Sequence, residues 1–182
     1  MNISITKRVW LFVTLVFSLS SAVQAASREE INISSQAALE SLYAQDKAAK
    51  ELAAKAKGIL VFPSVIKAGI GLGGEYGEGV LMVNGTPTQY YATAAASIGF
   101  QLGAQVKSQV ILFMTQDALN DFKNSEGWRT GVDGSVAIAT LGAGGTLDSQ
   151  TLQQPIIGFI YSNKGLMYNL NLEGSKITKI DR

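Results

Sequence analysis

Hydrophobic and polar positions follow two different periods along this chain, and the change falls at Gly58. Up to Lys57, Leu39, Leu42, Ala49, Leu52, Ala53 and Ala56 recur at steps of three and four, the apolar stripe of an amphipathic helix. The stretch is rich in Ala, Leu, Glu, Lys and Gln, which favour helix. Ser27 and Glu30 have capping-box spacing for its start, with Ser34 or Ser35 as an alternative. Lys55 and Lys57 suit the negative end of such a helix, and Gly58 suits the position just past it.

Beyond Gly58 the period becomes that of strands. Ile59 to Phe62 predicts a short buried strand stopped by Pro63, and Val65 to Val83 a second one laced with glycine. Asn84-Gly85 is a strong hairpin signal, returning through Gln89 to Ala95. Phe100, Leu102, Ala104 and Val106 alternate with Gln101, Gly103, Gln105 and Lys107, which predicts a half-buried strand. Val110 to Met114 reads as buried strand, and Thr115 to Asn124 as a short helix with Ala118, Leu119 and Phe122 inward. Val132 to Leu147 reads as Gly-rich strand. Ile156 to Tyr161, a turn at Asn163-Lys164-Gly165, and Leu166 to Leu172 read as a second hairpin, and Ser175 to Ile180 closes the chain. One helix followed by many short strands predicts an α+β fold: a helix packed on a Gly-rich, strongly bent, mostly antiparallel sheet or partial barrel, with one short additional helix.

The first 25 residues stand outside this domain. Lys7 and Arg8 precede the apolar run Val9 to Val16, and Val23-Gln24-Ala25 offers a signal-peptidase site. The run is short against the roughly 20 apolar residues of a membrane span. The expectation is a signal peptide over 1–25, a single domain over 26–182, and an exported protein, periplasmic or secreted, after cleavage following Ala25.

Composition removes whole classes of chemistry. There is no His and no Cys among the 182 residues, so Ser-His-Asp, Cys-His and HExxH arrangements are excluded. Residues 26–182 carry 13 Lys+Arg against 14 Asp+Glu, which does not suit a general nucleic-acid binder. The glycines Gly69, Gly71, Gly73, Gly74, Gly77 and Gly79 contain a GxGxxG string. A nucleotide site would need a helix directly after it, whereas Val80 to Val83 reads as strand. These glycines therefore read as structural, permitting a sharp bend or close backbone approach, Gly71 and Gly73 above all. Glu75 and Glu78, three apart on a strand, point to opposite faces and read as solvated edge charges. No metal-ligand cluster is evident, and no cofactor or catalytic residue is expected.

An ordered series of short motifs spans nearly the whole domain. It begins with Ala56-Lys57-Gly58-Ile59-Leu60-Val61-Phe62-Pro63, Lys67-Ala68-Gly69, Gly73-Gly74 and Gly77-x-Gly79-Val80. It continues with Gly99-Phe100-Gln101-x-Gly103-Ala104-Gln105, the Val110 to Met114 strand, Phe122 and Gly134-Ser135-Val136-Ala137. It ends with Tyr161-Ser162-x-Lys164-Gly165-Leu166 and Leu172-Glu173-Gly174. In this series the chain resembles the SYLF domain family, whose eukaryotic members look like membrane-associated modules binding phosphoinositides and, in some proteins, actin. The resemblance implies a non-enzymatic lipid-binding protein contacting anionic head groups, here in the cell envelope, where actin is not expected. The alternative is a structural or protein-interaction module with an envelope protein as ligand. Lys55, Lys57 and Lys67, read as close together at the helix-to-strand junction, are the head-group candidates.

Overall fold

The computed structural model describes residues 26–99, 104–139, 151–162, 172 and 174–182. Ser27 caps helix α1 (Arg28–Gln45) through a reciprocal capping box with Glu30. The expected single helix is broken at Asp46. Its carboxylate accepts hydrogen bonds from the backbone N–H groups of Ala48 (2.8 Å) and Ala49 (3.2 Å), opening a second helix, α2 (Lys47–Ala53). A side chain that satisfies two otherwise unpaired donors competes with continuation of the helix. Because α2 ends at Ala53, Lys55 and Lys57 lie beyond it, and Gly58 is the first residue of the sheet rather than a cap.

Strand β1 (Gly58–Val83) is continuous, so Pro63 does not stop it. Pro63 falls where the β1–β3 register shifts, between Phe62 and Val65, and there its missing N–H interrupts no regular ladder. The shift also changes which parity of residue faces which way. Asn84 (φ 51°) and Gly85 (φ 75°) form the tight turn into β2 (Thr86–Gly99), both in the left-handed region that such hairpins require.

Next come β3 (Ala104–Phe113), α3 (Gln116–Asn124), β4 (Trp128–Arg129), β5 (Ala137–Ala139), β6 (Ile156–Tyr161) and β7 (Lys176–Ile180). The sheet order is β4-β7-β2-β1-β3-β6-β5, antiparallel except for the parallel β5–β6 pair. It is strongly curled into a half-barrel, the bent α+β architecture that the sequence predicts. The long strand expected over Val132 to Leu147 is shorter: residues 131–133 form a turn, β5 holds three residues, and 140–147 lie outside the described residues. The start of the Phe100 to Lys107 strand and most of the expected Asn163 to Leu172 hairpin also lie outside them.

Both faces of the sheet are covered. On one, α1 and α2 bury Leu39, Leu42, Ala49, Leu52 and Ala53 against Val61, Val80, Val110, Leu112 and Phe159. On the other, α3 places Leu119 and Phe122 among Phe62, Leu81, Tyr91, Ile111, Phe113 and Trp128. Phe122 is the hub of that second core, with ring centroids 4.8 Å from Tyr91, 4.8 Å from Phe113 and 5.7 Å from Trp128.

The bend depends on two glycines. A Cβ at Gly79 would collide with the Val61 carbonyl and stand 2.6 Å from Phe62 Cδ1, and one at Gly77 would stand 2.7 Å from the Ser64 carbonyl oxygen. The second half of β1 thus passes against the backbone of its first half. Gly74 is different, with the Ala95 carbonyl 3.6 Å away. The surroundings of Gly69 and Gly71 lie outside the described side chains. The GxGxxG string falls inside β1, which runs on to Val83 and a hairpin, so no helix N-terminus follows it.

Candidate functional site

The three lysines singled out from the sequence part company. Lys55 and Lys57 are exposed on the segment between α2 and β1. Lys67 is not beside them: Gly58 pairs with Phe113 and Lys67 with Gln105, near opposite ends of β3 and roughly 25 Å apart along it. An extended strand separates what a short sequence interval suggested was adjacent. Lys67 Nζ is also engaged, 3.4 Å from Glu75 Oε1. Lys47 and Lys50, exposed on α2 beside Lys55 and Lys57, are not among the head-group candidates read from the sequence. Their signal was present in sequence as a run of cations at close spacing.

Glu75 and Glu78 do point to opposite faces, but neither is a solvated edge charge. Glu75 lies on the α3 side, 2.6 Å from the ammonium of Lys107, whose side chain is only 4% exposed. Lys107 belongs to the polar phase of an alternating strand, which predicts solvent. At this end of β3 the expected pattern is reversed: Lys107 is buried, while Val106 of the apolar phase stands half-exposed on the other face. Glu78 lies on the α1 side and accepts hydrogen bonds from the Arg182 guanidinium and the Tyr76 hydroxyl. Burial by itself would raise its pKa; the bonds from Arg182 and Tyr76 outweigh that and hold it below the usual carboxylate range. These carboxylates are committed to ion pairs that tie β1 to β3 and to the C-terminus.

A groove of about 580 Å³ opens between α1 and the sheet where β1 shifts register. Ser34, Ser41 and Gln45 line it from the helix, Ser64 and Ser108 from β1 and β3, and Ser162 from just past β6. Ser108 Oγ donates to the Pro63 carbonyl at 2.8 Å, and Gln45 Nε2 donates to Ser41 Oγ at 3.1 Å. The Tyr161 hydroxyl anchors the helix beside the groove by donating to the Ala38 carbonyl. Burial pushes that phenol up to about 12, so it stays protonated and remains a donor at physiological pH. Nothing in a one-dimensional pattern announces this groove, because its walls come from elements far apart in sequence.

Among the described residues no group of three or more His, Cys, Asp or Glu side chains is placed to hold a metal ion. Among them, too, no helix is long and apolar enough to cross a membrane. Compared with known families, residues 94–182 match the one described as Ysc84: Las17-binding protein actin regulator. No curated protein matches the chain.

Proposed function

We propose, from the premise that this chain belongs to the SYLF domain family, whose Ysc84 description covers its residues 94–182, that it is a non-enzymatic envelope protein that docks on anionic lipid head groups. Domains of this family are of a lipid- or actin-binding type. The observation that supports lipid is the cationic patch of α2 and its exit. Lys47, Lys50, Lys55 and Lys57 are all exposed, and none is in an ion pair among the described residues. The neighbouring Asp46 has its carboxylate turned onto the α2 backbone as a cap, and the exposed Glu51 on the same helix offsets one of the four charges and leaves the patch positive. Lys67, bound to Glu75, takes no part.

Each basic residue near an anionic surface contributes about 1 kcal/mol, so four give a weak, salt-sensitive attachment. The mature protein will co-sediment with phosphatidylserine-containing vesicles at low salt and leave them as the Debye length shortens from about 10 Å at 0.1 M toward 3 Å at 1 M. Replacing Lys47, Lys50, Lys55 and Lys57 together by Gln will abolish the attachment. Thermal stability will change little, because exposed substitutions usually stay within about 0.5 kcal/mol. Wild-type protein that ignores anionic vesicles at low salt, or binds neutral ones equally well, would sink the head-group reading in favour of a protein ligand.

The envelope location rests on the signal-like segment 1–25. Intact mass of the protein from the envelope fraction will correspond to a chain beginning at Ala26; a mass that includes Met1 to Ala25 would make the segment an anchor.

A further inference from the structure

The serine-lined groove does not end at its polar floor. Two residues before Ser108 on β3, and therefore on the same face about 7 Å away, stands Val106. Val106 is registered directly opposite Ile66 on β1, and the two are 51% and 50% exposed, the most exposed large aliphatic side chains among the described strand residues. A polar recess thus leads onto a small apolar shelf.

The chemistry of the recess is specific in what it offers. Its polar walls are hydroxyls and one amide, Ser41, Ser64, Ser108 and Gln45 among them, with no charged or aromatic side chain in its lining. An anionic head would be partly desolvated there without a cation to receive it, which is unfavourable. A hydroxyl-bearing neutral head is different. Ser41 is half-exposed and Ser64 exposed in the lining, and hydroxyls both donate and accept. The volume lies within the roughly 300–1,000 Å³ of small-molecule sites. We infer that groove and shelf together form a binding site for an uncharged amphiphile, its hydroxylated head among the serines and its aliphatic chain across Val106 and Ile66. This site uses none of the α2 lysines and does not depend on the vesicle reading.

The probe is monolauroylglycerol below its micellar concentration, titrated calorimetrically into the mature protein, with glycerol and dodecyl sulfate as comparators. The expected result is saturable binding of monolauroylglycerol, none of glycerol, and at least tenfold weaker binding of dodecyl sulfate. Ala37 is an exposed lining residue of α1, so Ala37→Trp fills the groove without entering the core. It will weaken binding at least tenfold with an unchanged melting temperature. Ile66→Ser with Val106→Ser will do the same from the shelf side, and the four-lysine Gln variant will bind like wild type. Absence of saturable binding, equal affinity for dodecyl sulfate, or indifference to both the groove and the shelf variants would overturn the assignment. Loss of binding in the four-lysine variant would overturn it too, since that would place the amphiphile on the vesicle-binding surface.

Discussion

Gly79→Ala will leave the protein largely unfolded, or lower its stability by about 3 kcal/mol or more, the upper range for overpacking a well-filled core. The added methyl would meet the Val61 carbonyl, Phe62 Cδ1 at 2.6 Å and the Val61 carbonyl carbon at 2.9 Å. Two of those are backbone atoms, and Val61 is held in the ladder opposite Val110. They cannot swing aside as the end of a flexible side chain can. Gly74→Ala is the control on the same strand: its nearest neighbour, at 3.6 Å, is in ordinary contact, so the change will be within about 1 kcal/mol in either direction. Urea denaturation of the pair decides the matter. If both variants keep the wild-type midpoint, the close approach of the two halves of β1 is not what demands glycine here.

That pair shows where sequence reasoning reaches and where it stops. A glycine-laced strand followed by more strand announces a bend, and the GxGxxG string does lie within a strand with no helix directly after it. Which glycines carry the contact is another matter. Gly77 and Gly79 meet residues 61–65, and that meeting depends on the curl of the whole sheet, which no local window contains. The same division holds elsewhere. The Ser27 capping box, the Asn84-Gly85 turn and the strand Ile156–Tyr161 are local, and each is legible residue by residue. The helix break at Asp46 is local as well, but an uninterrupted run of helix formers masked a cap in its midst. For the charged groups, parity alone sends Glu75 and Glu78 to opposite faces. Their partners Lys107 and Arg182 are supplied by distant strands and by the chain end, so nothing near either carboxylate marks it as paired. Lys67 shows the converse error: nearness in sequence to Lys57 implies nearness in space only where the chain turns back, and here it runs straight along β3.

Glu75→Ala will destabilise the fold by about 3–5 kcal/mol, the cost of leaving a buried partner charge uncompensated. Glu75 receives two ammonium groups of unequal weight. Lys107 stands 2.6 Å away with its side chain 4% exposed, whereas Lys67 stands 3.4 Å away at 27%. Removing the carboxylate leaves the Lys107 charge in the interior between β1 and β3 with no other ion-pair partner among the described residues. Lys67 can turn its charge toward water, so Lys67→Ala should cost no more than about 1 kcal/mol. Against a typical total stability of about 5–15 kcal/mol, the first change is large and the second small. The penalty belongs to the orphaned lysine rather than to the lost contact, and a double variant separates the two. Glu75→Met with Lys107→Met removes both charges and restores apolar bulk, so it will regain most of the loss. Urea midpoints of the three variants, read at constant m, test the ordering. A Glu75→Ala midpoint no lower than that of Lys67→Ala would mean that Lys107 finds water or another partner, and that the triad does not clasp β1 to β3.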